Sequence, residues 1–322
     1  MNLIEKAAAK LGRGDKTSLV EKLAERMDTE PSQAPAEVNG NTVVAPSPAP
    51  TLATAEALPA DVAKKADAAA APPKKGPRRS RRVTIDFDRL RSLGVVTYDA
   101  ERSRLAEEYR FIKRPLLLKA FARGPDAISN GHLIMVTSSN PREGKTFTSV
   151  NLAMSIATER DLTVLLVDAD ASHPSIMPFF GIEAEIGLID LLERDDVDVA
   201  DVLLRTNREN LSIIPAGHAN PYATELLASD RMARFVADVG KRYPDRVIIF
   251  DSPPVLATSE ASVMAGYVGQ IVFVVEAERT SQAAIASALN LIGACKNIGL
   301  LLNRTRTRAD TDSMGSYYDY GQ

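Results

Sequence analysis

Sulfur chemistry, aromatic side chains and any dominant charge are all scarce in this chain. Its 322 residues include one cysteine, Cys295, three histidines and no tryptophan. A lone cysteine closes no disulfide within the chain and excludes a zinc site built from several thiolates, so a reducing compartment is expected. His132, His173 and His218 lack metal-ligand spacing, and no Ser-His-Asp order or nucleophile elbow occurs. Cys295 reads as a packing residue on a helix. With 39 Lys and Arg against 42 Asp and Glu, the net charge is −3, which argues against a dedicated nucleic-acid binder with its basic domain. No uncharged apolar run nears the roughly 20 residues that span a bilayer, and no secretory leader pattern opens the chain. The expectation is a soluble, cytoplasmic protein.

Aromatic residues are absent before Phe87, although nine of the 19 prolines fall there. Between Pro31 and Pro77, 23 of 47 residues are Ala or Pro. Such a stretch buries too little apolar surface to offset backbone ordering, so residues 29–82 read as a flexible linker. The linker ends in a basic run, Lys74, Lys75, Arg78, Arg79, Arg81 and Arg82. That run reads either as a solvated end or as an attraction to an anionic membrane face or an acidic partner. In residues 1–28, Leu3, Ile4, Ala7, Ala8 and Leu11 recur at helical spacing, and Ser18 with Glu21 forms a capping box before a second helix. Two short amphipathic helices have no core of their own, which suggests docking to a partner.

Residues 83–303 read as a globular domain. Leu105, Tyr109, Ile112 and Leu116 mark a helix over roughly 99–119, with Pro115 expected to kink it. Six apolar runs then alternate with amphipathic stretches: Leu133 to Val136, Val164 to Val167, Leu211 to Ile214, Val247 to Phe250, Ile271 to Val275 and Leu300 to Leu302. Short, continuous apolar strands imply cover on both sheet faces. The fold class expected is α/β, a doubly wound and mostly parallel sheet of the P-loop type.

Ligands of such sheets bind beyond the carboxyl ends of the strands. The first run is followed by Ser139-Asn140-Pro141-Arg142-Glu143-Gly144-Lys145-Thr146-Phe147 and a helical stretch. Strand, loop, Gly-Lys-Thr and helix is the order of a phosphate-binding loop: amides face the phosphates, Lys145 bridges their oxygens, and the Thr146 hydroxyl ligates Mg²⁺. The triplet alone is weak. It gains weight because two further strands end in acids, one at Asp168-Ala169-Asp170 and one at Asp251-Ser252-Pro253-Pro254. Carboxylates there can hold Mg²⁺ through its water shell and accept a proton from an incoming hydroxyl. Together these residues imply a site for ATP and Mg²⁺.

The same residues resemble the bacterial tyrosine kinases of capsule and exopolysaccharide synthesis, relatives of the partitioning ATPases within the deviant P-loop ATPases. The Ser139–Thr146 loop resembles their Walker A, Leu165 to Asp170 their Walker A′, and Ile248 to Pro254 their Walker B. Glu107 to Leu117 and Thr258-Ser259-Glu260-Ala261 look closer to the autokinases found beside exosortase systems. The resemblance implies catalytic roles for Lys145, Asp168, Asp170 and Asp251, with Asp168 taking the tyrosyl proton. It implies Mg²⁺ held by Thr146, Asp170 and Asp251, and Asn303 near the adenine. A Glu-x-x-Arg-x-x-Arg helix packs such kinases into rings; here Glu107, Arg110 and Lys113 stand at those positions, and lysine lacks arginine's bidentate fork. A separate membrane-embedded co-polymerase as activator, a tyrosine phosphatase, and recruitment to the inner face of the cytoplasmic membrane are also implied.

The end of the chain points to the acceptor. Three of the eight tyrosines, Tyr317, Tyr318 and Tyr320, lie in the last six residues. They close a polar tail, 304–322, whose 19 residues reach at most about 60 Å when extended. Protein-tyrosine autophosphorylation between protomers is the leading expectation. A partitioning-type ATPase acting as a positioning switch is the alternative, although such proteins carry a second lysine early in the loop, where Ser139-Asn140 stands here.

Overall fold

The computed structural model describes residues 80–97, 103–242 and 245–306. The expected helices within 1–28, most of the linker and the tail with Tyr317, Tyr318 and Tyr320 lie outside the described residues.

Eight strands form one sheet: β1 (Arg81–Val83), β2 (Leu133–Ser138), β3 (Thr163–Asp168), β4 (Leu204–Thr206), β5 (Leu211–Ile214), β6 (Arg246–Asp251), β7 (Gln270–Glu276) and β8 (Ile298–Asn303). Their order is β1-β4-β5-β3-β6-β2-β7-β8. All neighbours run parallel except β4 and β5. The six strands read from the apolar runs are all present. The two additions, β1 and β4, are three residues each and rich in arginine, so no apolar run announces them. β1 also begins inside the segment read as linker, placing Arg81 and Arg82 in the sheet.

Alternation along each strand divides the interior. Ile134, Val136, Val164, Leu166, Val247, Ile249, Val272 and Val274 face one core. Leu133, Met135, Leu165, Val167, Ile248, Phe250, Ile271 and Phe273 face the other. Both faces are apolar because both are covered. The first core lies under α1 (Phe87–Ser92), α2 (Arg104–Ala120), α3 (Lys145–Ile156) and α4 (Ile176–Phe180). The second lies under α5 (Leu188–Glu193), α6 (Val199–Val202), α7 (Ala223–Leu227), α8 (Asp230–Arg242), α9 (Glu260–Met264) and α10 (Gln282–Leu291). Helix α2 is continuous through Pro115.

Two expectations change. The edge strand β8 is not covered on both sides: Leu300 and Leu302 are 57% and 60% exposed. Cys295 follows α10 in a loop rather than sitting on a helix, and it is buried, as a packing residue should be. None of the described helices is long and apolar enough to cross a membrane.

Candidate active site

The loop from Ser139 to Gly144 turns sharply because two residues take left-handed backbone, Arg142 at φ 69° and Gly144 at φ 98°. A side chain at 144 would be strained by that φ, and its Cβ would lie 2.0 Å from Asn303 Nδ2. Glycine is therefore required both by the turn and by the close approach of β8. Glu143, buried, ties the loop together: its carboxylate accepts from Asn140 N, Asn140 Nδ2 and Thr280 Oγ1. Pro141 and Arg142 are exposed, while Ser139, Lys145 and Thr146 are buried. Helix α3 starts at Lys145, so its free amides open toward the loop, the arrangement that binds phosphate. Phe147 sits in its first turn, and its carbonyl accepts from Asn151 Nδ2.

The acids arrive from neighbouring strands. Asp168 and Asp251 are register partners at the ends of β3 and β6. Lys145 Nζ lies 2.6 Å from Asp170 Oδ2. Burial works against the Lys145 charge, but Asp251, Asp170 and Asp168 outweigh it and hold its pKa above the ordinary lysine value. Burial, and then the neighbouring Asp251, push Asp168 up to about 7. Burial also raises Asp251, although Lys145 opposes the shift. Asp168 additionally organises the chain beyond β3: Oδ1 accepts from Asp170 N, and Oδ2 from Ser175 N and Ile176 N.

Among the described residues, no group of three or more His, Cys, Asp or Glu side chains is placed to hold a metal unaided. Mg²⁺ binds through one or two carboxylates and takes its other ligands from water and phosphate. Asp251 Oδ2 is buried and meets no donor at hydrogen-bond geometry among the described residues, although the Thr146 hydroxyl is near enough to oppose the rise in its pKa; such an atom suits a cation. Thr146 Oγ1 lies 2.7 Å from Ser175 Oγ, and Asp170 Oδ1 accepts from His173 N.

Several residues that sequence reasoning passed over hold this arrangement. Ser149 donates to Asp251 Oδ1 at 2.9 Å, and its place one helical turn after Lys145 was a usable signal. Ser175 and Thr280 reach the site through tertiary contact and leave no local trace. Asn303, expected near adenine, donates from Nδ2 to Glu143 O at 2.9 Å, which places it against the phosphate loop. Of the three expected ring-contact residues, Glu107 and Arg110 pair with each other on the outside of α2. Lys113 instead points inward: its Nζ donates to Ser155 O at 2.7 Å and pairs with Glu159.

A doubly wound sheet, a helix entered through Gly-Lys-Thr and acids on adjacent strand ends define a P-loop nucleotide-binding domain. The AAA domain family AAA_31 matches residues 132–304, more than half of the chain, and the chain belongs to that family. Its relatives are bacterial tyrosine kinases. It is 28% identical over 212 residues to tyrosine-protein kinase YwqD of Bacillus subtilis (strain 168), covering 65% of this chain and 85% of the relative. It is 32% identical over 185 residues to tyrosine-protein kinase Etk of Escherichia coli (strain K12), covering 57% of this chain and 25% of Etk. The solved structure of the chimerical protein CapA2B2 superposes with a TM-score of 0.59 at 26% identity, covering 70% of this chain and 93% of that one.

Proposed function

We propose that the protein is a tyrosine autokinase that transfers the γ-phosphoryl group of ATP to Tyr317, Tyr318 and Tyr320 of a neighbouring protomer. The observation that carries this reading is the meeting of Lys145 and Asp170 beside the in-register pair Asp168 and Asp251, where α3 leaves Gly144. In the transfer the tyrosyl oxygen bonds to the γ-phosphorus. The bond to the β–γ bridging oxygen breaks, and ADP departs with its electron pair. The tyrosyl proton passes to Asp168. Oδ1 of that residue accepts one amide hydrogen bond among the described residues, and its pKa of about 7 suits a base working near neutrality. Lys145 and the loop amides meet the charge that develops on the phosphoryl oxygens, since positioning and electrostatics carry most of this chemistry. Thr146, Asp170 and Asp251 would hold Mg²⁺, which when bound neutralises phosphate charge.

The wider role proposed is control of exopolysaccharide or capsule polymerisation and export. Unphosphorylated protomers assemble into a ring using the outer face of α2 with Glu107 and Arg110. Each tyrosine phosphate adds nearly two negative charges, so a phosphorylated ring loosens, and a tyrosine phosphatase resets it. A membrane-embedded co-polymerase recruits the kinase to the inner face of the cytoplasmic membrane.

The test mixes two variants in Mg-ATP and weighs each by intact-mass spectrometry. Lys145→Met supplies an inactive protomer with an intact tail; a variant with Tyr317, Tyr318 and Tyr320 all changed to Phe supplies an active site without acceptors. Phosphate on the Lys145→Met chain, present only in the mixture, is expected. Steady release of inorganic phosphate with neither chain modified would replace the kinase by an ATPase switch.

A further inference from the structure

One buried acid has no part in the chemistry above. Glu260, the first residue of α9, is 4% exposed, and its Oε2 has no hydrogen-bond partner among the described residues. Its neighbour Ala261 is fully buried in the core, so the backbone there is anchored. The segment from Asp251 to Glu260 runs along the phosphate loop. Ser252 N donates to Val136 O, Val255 N to Ser138 O and Leu256 N to Ser139 O, while Thr137 Oγ1 donates to Pro253 O.

This rim gathers unsatisfied polar atoms. Among the described residues, seven buried side-chain N or O atoms lack a partner. Five of them, Ser139 Oγ, Asp251 Oδ2, Ser252 Oγ, Thr258 Oγ1 and Glu260 Oε2, lie at the start of the loop, the end of β6 or the segment just traced. Buried polar atoms are nearly always hydrogen-bonded in folded proteins, so their clustering marks a place where something polar binds. The charges narrow the choice. Burial, and then the field of Asp170, raise the Glu260 pKa, so this carboxyl resists ionising where no cation stands near it. One ammonium cannot neutralise Asp168, Asp170, Asp251 and Glu260 together, and unpaired buried charge is expensive. A hydrated divalent cation relieves it, because the waters that Mg²⁺ keeps donate to carboxylates outside the first ligand shell.

We propose that Glu260 is a positioning residue for the Mg²⁺ of the nucleotide complex, its free Oε2 accepting hydrogen bonds from the hydration shell of an ion held by Thr146, Asp170 and Asp251. This rests on the ATP-site reading above. Glu260 thereby sets the Mg²⁺ concentration at which the site loads.

The experiment is thermal melting of the full chain with fixed ADP across a MgCl₂ series. Glu260→Gln is expected to need about 10-fold more Mg²⁺ for half of the melting shift, and to melt no lower than wild type without Mg²⁺, because it removes a charge that has no partner. Glu260→Asp keeps the carboxylate on a shorter arm and is expected between the two; it carries the test if the glutamine variant does not fold. An unchanged Mg²⁺ midpoint in both variants overturns the proposal. So does a lower melting temperature with an unchanged midpoint, which marks a purely structural role, or slower transfer with an unchanged midpoint, which marks a role with the tyrosyl proton. If the wild type itself shows no Mg²⁺-dependent shift with ADP, the ATP-site reading fails rather than the assignment of Glu260.

Discussion

Asp251 shows how a single buried side chain is held between a hydrogen-bond donor and a second acid. One oxygen is satisfied by Ser149, the other is buried with no hydrogen-bond partner among the described residues, and Asp168 stands beside it in register. Two neighbouring buried carboxylates resist ionising together, and Lys145 partly relieves the conflict. Ser149 is then more than a helix residue, since it supplies the hydrogen bond that fixes the rotamer of Asp251. Ser149→Ala leaves a buried acceptor unpaired, and urea titration is expected to show a loss of about 1–3 kcal/mol. Unchanged stability would mean that Asp251 turns to another donor.

At the scale of elements, α2 has two distinct faces. Lys113 clamps the end of α3 by donating to the carbonyl of Ser155 and the hydroxyl of Thr158. A cation at a helix C-terminus is favoured by the dipole as well as by the hydrogen bonds. Lys113→Met keeps the apolar stem and removes the charge, with an expected loss of about 1.5–3 kcal/mol in urea unfolding. Arg110→Ala on the outer face is expected to stay within about 0.5 kcal/mol of wild type while lowering the assembled fraction in light scattering.

A second latch joins α5 to the loop after β5. Asp190 accepts from Gly187 N and His218 N, and His218 Nδ1 lies 2.6 Å from its Oδ1. Burial alone would raise this carboxyl, but the His218 side chain and the two amides outweigh it, and its pKa lies below the ordinary value of 3.8. The folded chain thus binds this proton less readily than the unfolded chain. The stabilisation is full above about pH 4 and fades as pH falls through the lower folded value. Asp190→Asn is expected to cost about 1.5–3 kcal/mol at pH 7, with the gap to wild type closing below about pH 4 in pH-dependent melting.

At the scale of the whole molecule, the root of the tail is wired to the phosphate loop. Asn303 donates to Glu143 O, Thr280 to the Glu143 carboxylate, and Arg304 pairs with Glu276. The strand that precedes the tail therefore ends against the phosphate loop and braces it. Under the proposed cycle, incubation with Mg-ATP is expected to shift the protein from assembled to monomeric in size-exclusion chromatography with light scattering. The variant with all three tail tyrosines changed to Phe is expected to remain assembled.

Residue order alone was enough for the doubly wound, mostly parallel sheet and for the succession of strand, loop, Gly-Lys-Thr and helix. Six apolar runs became six strands, five of them because a strand covered on both faces must be apolar throughout, the sixth being the half-exposed edge β8; Gly144-Lys145-Thr146 carries its meaning within three consecutive positions. The inward turn of Lys113, the antiparallel β4, the Ser175 and Thr280 contacts and the unsatisfied Oε2 of Glu260 were not legible there. The Lys113, Ser175 and Thr280 contacts join residues 42, 29 and 137 apart in the chain, which meet only when the two cores pack; β4 is too short for an apolar run to announce it, and only packing decides which buried atoms go without a partner.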